Sequence, residues 1–205
     1  MNFLAIDTSN EYLTVVASKE GKAEVLFEPQ CGMQHSVRLM PAVEETLQRA
    51  GLSPAECDFF AAVTGPGSFT GIRIGISAAK GFCGALKKPS LGITTFQTLA
   101  YNAEGECLAA VSAGRGFYYV CAFGEDKRVL GEPARTDGEG LSALAQKYAV
   151  VSYGDLPVPY RKADPARGLF EAVKAAKRED FGGLCAFYLK KSQAEEELAR
   201  RGQEK

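Results

Sequence analysis

The stretch VTGPGSFTGIRIG, at residues 63–75, joins two apolar runs through a loop of glycine, proline and small polar residues. The run before it, FFAAVT at residues 59–64, has the apolar and aromatic composition of a buried strand. After it, apolar residues recur at helical spacing from Thr70 to Leu86, and Ser68 is a residue type that caps helix N-termini. The sequence therefore predicts a strand, a tight glycine turn and a long helix in direct succession.

This loop has two candidate roles. A turn between a strand and a helix N-terminus can hold an anion, which makes Asp7, Gly67 and Ser68 candidate nucleotide contacts. The loop does not match a P-loop, because Thr70 stands where the second glycine would be and no lysine followed by serine or threonine comes after it. The alternative role is a joint that lets the helix pack closely against another element.

The helix after the loop favours the joint. Small and apolar residues cover more than half of its circumference, although one core-facing stripe needs only about 100°. Glycines on successive turns let a second helix approach closely. We therefore expect a subunit interface formed with the helix at residues 34–50, the alternative being a helix enclosed within one domain. The predicted interface residues are His35, Leu39, Ala42, Gly71, Ile74, Gly75, Ala78 and Phe82.

The order of elements along the chain predicts two similar halves. The segments NFLAID, YLTVVAS and AEVLFE are expected strands of an antiparallel meander, and with SLGIT and the helix TFQTLAYNA they give the order βββαβαβα. The pattern then restarts, since VSAGRGFYYVCAFGED can be laid over IDTSNEYLTVVASKEG with Val111 on Ile6 and Val120 on Val15. In the second copy KRVLGE and AVVSYG are expected strands, and GLSALAQKY and ARGLFEAVKAAKRED are expected helices. We predict an α/β protein of duplicated halves at residues 1–103 and 104–205, split near Ala103, with a charged tail on the shorter second half.

Composition narrows the function. The 24 basic and 25 acidic side chains among 205 residues give a net charge of −1, which disfavours autonomous nucleic-acid binding. The N-terminus lacks a secretion signal and no apolar run reaches the length of a membrane span, so a cytoplasmic protein is expected. The six cysteines form no C-x-x-C pair and are expected to be reduced and mostly buried.

Two duplicated βββαβαβα halves are the arrangement of actin-like ATPases, which bind nucleotide between the halves. The segments LAIDTSNEYLTVVAS, GPGSFTGIRIG, AVSAGRGFYYV and FYLKKSQAE resemble the TsaB (YeaZ) family of tRNA threonylcarbamoyladenosine (t6A) biosynthesis proteins over nearly the whole chain. The resemblance implies a scaffold and activator that pairs with the catalytic paralogue TsaD and the ATPase TsaE to modify the adenosine beside the tRNA anticodon. It implies indirect contact with tRNA through that complex, a homodimer when the chain is alone, and no membrane partner.

The resemblance also sets expectations for chemistry. In the catalytic paralogue two histidines one helical turn apart hold a metal, but here His35 is the only histidine and Leu39 stands four positions later. Actin-like sites place an acid at the first turn of each half to organise Mg²⁺, and Asp7 fills the first place while Ser112 fills the second. We expect no catalytic residue and no metal site, with ATP and Mg²⁺ only at an interface shared with a partner. The alternative is a small ATPase or phosphotransferase that uses Asp7 and the loop bounded by Gly65 and Gly71.

Individual residues have plainer expected roles as well. His35 is expected to be an exposed or capping residue near a helix start, and Asp7 to accept hydrogen bonds from the amides of Ser9 and Asn10. In the charged tail, a solvated segment is expected, with phosphate contact as the alternative. Its candidate contacts are Lys190, Lys191, Arg200 and Arg201.

Overall fold

Two five-stranded sheets form the framework of the computed structural model, which describes residues 1–189. The strands of the first sheet are β1 (Phe3–Asp7), β2 (Leu13–Lys19), β3 (Lys22–Glu28), β4 (Phe59–Gly65) and β5 (Ser90–Thr94). Those of the second sheet are β6 (Cys107–Gly114), β7 (Phe117–Phe123), β8 (Ala134–Asp137), β9 (Ala149–Ser152) and β10 (Arg161–Lys162). The charged tail from Lys190 onward lies outside the described residues.

The two sheets have the same topology, which confirms the predicted duplication. The first has the order β3-β2-β1-β4-β5 and the second, from its opposite edge, β8-β7-β6-β9-β10. In each, an antiparallel meander is joined to two parallel strands. The overlay is displaced by one residue, because Ile6 pairs with Val15 whereas Val111 pairs with Tyr119 instead of Val120. An irregularity between Ser112 and Gly114 marks the place where the second hairpin departs from the first.

Five α-helices connect or cover the strands in residues 1–189. They are α1 (His35–Arg49), α2 (Phe69–Leu86), α3 (Thr95–Ala100), α4 (Gly138–Ala145) and α5 (Pro165–Lys174). Short 3₁₀ turns lie at Pro54–Glu56 and Arg178–Asp180. The predicted strand KRVLGE is wrong. That segment contributes only an isolated bridge from Val129 to Phe123, and the third strand of the second half is β8, a few residues later.

Helices cover both faces of the first sheet. Side chains alternate along β1, so that Leu4 and Ile6 face α1 and α2 while Phe3 and Ala5 face the other side. That other side is covered by α5, whose Leu169, Ala172 and Val173 are buried against it. The sequence order assigned this segment to the second half, but the chain returns to the first sheet after completing the second. The helix α5 belongs to the second half by its place in the sequence, but it packs on the sheet of the first half.

The two halves are tied together at α3 and the residues that follow it. Asn102 is buried, and its side-chain amide donates to the carbonyls of Thr98 and Asp164 while its oxygen accepts from the Asp164 amide. Gly168 of α5 lies so close that an added Cβ would be 2.1 Å from the Thr98 carbonyl oxygen. The division near Ala103 stays a prediction, and the chain passes there through a packed junction between the sheets.

Four of the six cysteines, Cys31, Cys57, Cys107 and Cys121, are buried and all are free, as expected. Burial raises the pKa of Cys57 and of Cys121 to about 11, so these thiols are held in their protonated form. No helix within residues 1–189 combines the length and the apolar character that crossing a membrane would require.

Candidate functional site

A cleft opens between the halves where strands of both sheets end. Two adjoining depressions, of about 400 and about 700 Å³, share the lining residues Asn10, Glu11, Val111 and Ser112. The smaller one is closed by Tyr12 and Tyr153, and the larger one reaches the glycine loop. Nucleotide would be expected here in an actin-like ATPase, so the groups that face this cleft decide whether the chain can carry out phosphate chemistry.

Asp7 ends β1 below the cleft, but its carboxylate is fully buried. The Ser9 amide donates to Oδ1 at 2.8 Å, which confirms half of the predicted turn. The Tyr12 hydroxyl donates to Oδ2 at 3.2 Å, and the Asn10 side chain donates to Ser9 Oγ and to the Tyr12 hydroxyl. Burial raises the pKa of Asp7, against the lowering effect of its hydrogen bonds with Ser9. Both carboxylate oxygens are therefore engaged inside the chain.

The glycine loop is bonded to the turn that follows β1. The Ser68 amide donates to the Ser9 carbonyl at 2.7 Å, and the Thr8 hydroxyl donates to the Gly71 carbonyl at 2.7 Å. Gly67 is required here because an added Cβ would stand 2.1 Å from the Ser9 carbonyl oxygen. Ser68 caps α2, accepting from the Gly71 amide at 3.2 Å. The loop is thus a joint, and its partner is the chain's own β1–β2 turn.

The first two of the four glycines of α2 have the same explanation. An added Cβ on Gly71 would lie 2.0 Å from the Thr8 carbonyl oxygen, and one on Gly75 would lie 2.6 Å from Thr8 Oγ1. Both residues are buried and face β1. Attributing them to a second subunit was wrong, because helical periodicity shows that a face is small without showing what lies against it.

The predicted interface residues of α1 are also internal. His35, Leu39 and Ala42 are buried, and Leu39 and Ala42 belong to the core beneath the first sheet. His35 was expected to be an exposed or capping residue near a helix start. It is the first residue of α1, but it is buried and the N-cap position is Gln34, so that expectation is wrong. The Nε2 of His35 donates to the Tyr12 carbonyl at 2.8 Å, since a carbonyl can only accept. That nitrogen is therefore occupied and does not face a metal.

The other predicted interface residues are Ile74, Ala78 and Phe82, which are half-buried at the edge of the same core. Phe82 stacks on Phe60 with ring centroids 5.0 Å apart. It also lines a groove of about 490 Å³ between α1 and α2, together with Met40 and Leu47. Whether this edge contacts a second subunit remains a prediction.

The exposed apolar residues lie on a different part of α1. Val37 and Met40 of α1 and Met33 in the turn before it have exposed fractions of 72%, 51% and 99%, and we call these three residues the apolar face of α1. Helical spacing in the sequence groups Val37 and Met40 with Val43 and Leu47, but the buried stripe of the helix contains Leu39, Val43 and Leu47 instead. Exposed apolar patches of this kind mark contact surfaces.

The lining of the cleft offers few groups that would hold a magnesium nucleotide. Ser112 is exposed but offers a neutral hydroxyl where a second carboxylate would stand. Among the residues that line the two depressions, all within the described part of the chain, there is no lysine, arginine or histidine to face phosphate. The loop amide at Ser68 and both oxygens of Asp7 already have partners within the chain. No step of a phosphoryl transfer can be assigned to these groups.

Two tyrosines that sequence reasoning missed close the cleft. Tyr12 packs edge-on against Tyr153 with ring centroids 5.3 Å apart, which joins the two halves across the cleft floor. The Tyr153 hydroxyl donates to Thr98 Oγ1 at 2.7 Å. Burial raises the pKa of Tyr12 and of Tyr153, with the Asp7 carboxylate as a further cause, so both remain protonated donors. Their contact depends on the fold of both halves, and local sequence gives no signal of it.

Comparisons with known proteins agree with this description. A family model described as "TsaD: tRNA N6-adenosine threonylcarbamoyltransferase" matches residues 29–195. A relative named tRNA threonylcarbamoyladenosine biosynthesis protein TsaB, from Escherichia coli, is 33% identical over 167 residues, covering 75% of this chain and 72% of the relative. The Bacillus subtilis protein of the same name is 34% identical over 123 residues, covering 58% of this chain and 54% of the relative.

Solved structures give the same result. The structure titled "YeaZ from Pseudomonas aeruginosa" superposes with a TM-score of 0.79 at 26% identity, covering 92% of this chain and 99% of that one. The duplicated two-sheet fold and the identity over most of the chain agree with the resemblance carried by the glycine loop and the two hairpins. The chain belongs to the TsaB (YeaZ) family.

Proposed function

We propose that this chain serves t6A synthesis as a non-catalytic scaffold and activator of the enzyme that modifies tRNA. A role in t6A biosynthesis follows from the names of its relatives. The observation that supports a non-catalytic role is the bonding of the glycine loop to the β1–β2 turn, through Ser68 to Ser9 and Thr8 to Gly71. The elements that would face a nucleotide in an active actin-like enzyme face each other here.

The proposal assigns the chemistry to a partner. The family model that matches the chain is described as a transferase, but the only histidine of this chain is bonded to the Tyr12 carbonyl. We propose a TsaD-type paralogue as the catalytic subunit and a TsaE-type protein as the ATPase, with tRNA held mainly by the complex. Any ATP and Mg²⁺ would bind where this chain meets a partner. The proposed location is the cytoplasm.

The apolar face of α1 is the proposed contact surface. Val37 and Met40 of α1 and Met33 in the turn before it expose apolar side chains, and Met40 also lines the groove that contains Phe82. Removing such a patch from water favours association by about 25 cal/mol for each Å², before the entropic and desolvation costs of binding are subtracted. In the absence of the paralogue, the same face would join two copies of this chain.

Reconstitution tests the proposal. The full chain is mixed with the TsaD-type paralogue, the TsaE-type ATPase, ATP, an activated threonylcarbamoyl donor and unmodified tRNA, and t6A is measured by nucleoside mass spectrometry. We expect co-purification with the paralogue and t6A formation only when this chain is present. Equal t6A formation without it would contradict the proposal.

A second candidate function is a small ATPase or phosphotransferase that works from Asp7 and the glycine loop. The burial of Asp7 and its bond with Tyr12 weigh against it. Phosphate release from Mg-ATP by the isolated chain tests it directly. Turnover that Asp7→Asn abolishes would establish this activity and would exclude the non-catalytic assignment.

A further inference from the structure

The outward face of α2 carries positive charge that no part of the proposed function uses. Between Asp58 and Glu104 the sequence contains four basic residues and no acidic one. Three of the basic residues, Arg73, Lys80 and Lys87, lie on the exposed side of α2 or at its C-cap, and we call these three the cationic face of α2. They are seven residues apart, which places successive charges about 10 Å apart along the helix axis.

These charges are not neutralised by neighbours in the described structure. The ion pairs found within residues 1–189 involve other cations, namely Lys19, Arg38, Arg49, Arg128 and Lys174. The residues between the cations on this face have short side chains or none. Ser77 is exposed, and no atom lies within 4 Å of a Cβ added to Gly81 or Gly84. An extended anionic chain could therefore approach the helix closely along this line.

Arg73 is held in a defined position at one end of the line. Its guanidinium lies 3.8 Å from the centroid of the Phe69 ring, and its Nε donates to the Tyr188 hydroxyl at 3.1 Å. Phe69 and Tyr188 stack with centroids 4.9 Å apart and have exposed fractions of 41% and 40%. A guanidinium has five N–H donors, so donors remain for a bidentate contact with phosphate. Stacking fixes the plane of the group before any ligand binds.

We propose that the cationic face of α2 contacts the phosphate backbone of RNA. Lysine is depleted in protein–protein interfaces, and the residues between these cations are serine and glycine rather than apolar anchors. The surface that fits a protein is instead the apolar face of α1. A row of separated cations with an arginine–aromatic stack at one end matches the contacts that proteins make with nucleic-acid backbones. The choice of tRNA as this RNA rests on the proposed function.

The near-neutral total charge limits the strength of this contact without excluding it. Charges elsewhere balance the total to −1, so the field of the whole molecule does not attract RNA. Three local phosphate contacts give weak binding with a slope of log K against log salt of about −2 to −3. The face would add to tRNA binding by the assembled complex and would orient the tRNA on it.

The experiment measures binding of a fluorescent, unmodified tRNA transcript to the full chain by anisotropy over a series of salt concentrations. The test variant is Lys80→Gln with Lys87→Gln. The matched control is Lys147→Gln with Lys162→Gln, two exposed lysines of the second half, which loses the same charge. We expect the test variant to lose about 1.4 to 1.8 of the salt slope and to bind more than about tenfold more weakly at low salt. The control should bind like the unaltered chain.

Arg73→Lys separates charge from geometry, because it keeps the cation but loses the planar fork, and we expect weaker binding with a nearly unchanged slope. The proposal is wrong if the unaltered chain does not bind tRNA at low salt, or if the test and control variants bind alike. It is also wrong if the test variant binds tRNA as the unaltered chain does but no longer co-purifies with the TsaD-type paralogue. Since no modification is measured, failure here leaves the reconstitution result unaffected, and failure of the reconstitution leaves RNA binding intact.

Discussion

Gly75 shows how a single residue determines the position of α2. Its backbone lies against Thr8, and a Cβ there would also come within 3.4 Å of Ile6 Cγ2. Gly75→Leu must therefore push α2 away from β1. We expect the free energy of unfolding to fall by about 1–3 kcal/mol or more, as overpacking in a close-packed core does. Urea denaturation of the purified variant measures it.

Gly81→Leu is the control for this substitution, because the site faces open space on the same helix. Leucine is a better helix former than glycine by roughly 0.5–1 kcal/mol, so this variant should be as stable as the unaltered chain or more stable. If Gly75→Leu left stability unchanged and only separated subunits, the contact with Thr8 would not be what fixes this helix.

Asp7 makes stability depend on pH. Burial raises its pKa in the folded chain above the ordinary value of 3.8, so the folded state holds the proton more tightly than the unfolded state does. Its contribution to stability is therefore fully present below 3.8 and is lost as the pH rises through the folded-state pKa. Asp7→Asn removes this term. Relative to the unaltered chain, we expect the variant to gain stability as the pH rises from acid to neutral.

Urea denaturation of both chains at several pH values measures this difference. Glu11→Gln, which removes an exposed carboxylate at the mouth of the cleft, is the control. A stability difference between Asp7→Asn and the unaltered chain that stays constant across pH would show that burial does not control this carboxyl group.

Local chemistry was predictable from sequence at this scale, and long-range contacts were not. The Ser68 cap and the turn from Asp7 to Ser9 follow from residue types and short spacing, and both are present. The bond from Tyr12 to Asp7 and the contact of Tyr12 with Tyr153 require the folded arrangement of separate segments. A turn motif gives no information about which distant group will fill the space above it.

Among the elements, α1 presents two different apolar stripes. Leu39, Val43 and Leu47 pack into the core, while Val37 and Met40 project outward. Val37→Glu should leave the fold intact, because its side chain is already in water, and should place a charge in the proposed contact. We expect association with the TsaD-type paralogue to weaken at least about tenfold, since an unpaired buried charge costs more than one decade of affinity. Titration calorimetry or co-purification measures this change.

Val129→Glu is the matched control, since Val129 is 52% exposed on the second half, outside the proposed contact. It should leave association unchanged. If both variants weakened association equally, or neither did, the apolar face of α1 would not be the contact surface.

Element prediction succeeded where a segment's own pattern decides its structure. The strand, loop and helix around residues 63–75 were found within a residue or two, because the chain switches from strand to helical spacing there. KRVLGE failed because its composition permits a strand, whereas pairing with β7 selects Ala134–Asp137 further along. Which of two neighbouring segments joins a sheet edge depends on the length of the connecting turn, and composition does not determine that length.

At the scale of the whole molecule, the duplication was visible in the sequence but the crossing of α5 was not. Repeated hairpins predict repeated sheets, and the strand orders agree. The return of α5 to the first sheet depends on the apolar side of that sheet that α1 and α2 do not cover. Phe3 and Val16 lie on that side and are buried in one cluster with side chains of α5. Amphipathic spacing within α5 shows that the helix is buried on one side without specifying the sheet that buries it.

The central claim is that the chain activates t6A synthesis without contributing a catalytic group. The initial rate of t6A formation by the reconstituted complex tests it most directly when Asp7→Asn replaces the unaltered chain under conditions where both are folded and bound. The account predicts a rate within about twofold of the unaltered complex, whereas loss of a catalytic acid or base typically costs about 100-fold or more. A loss of that size in the folded, assembled variant would contradict the account and place Asp7 in the reaction.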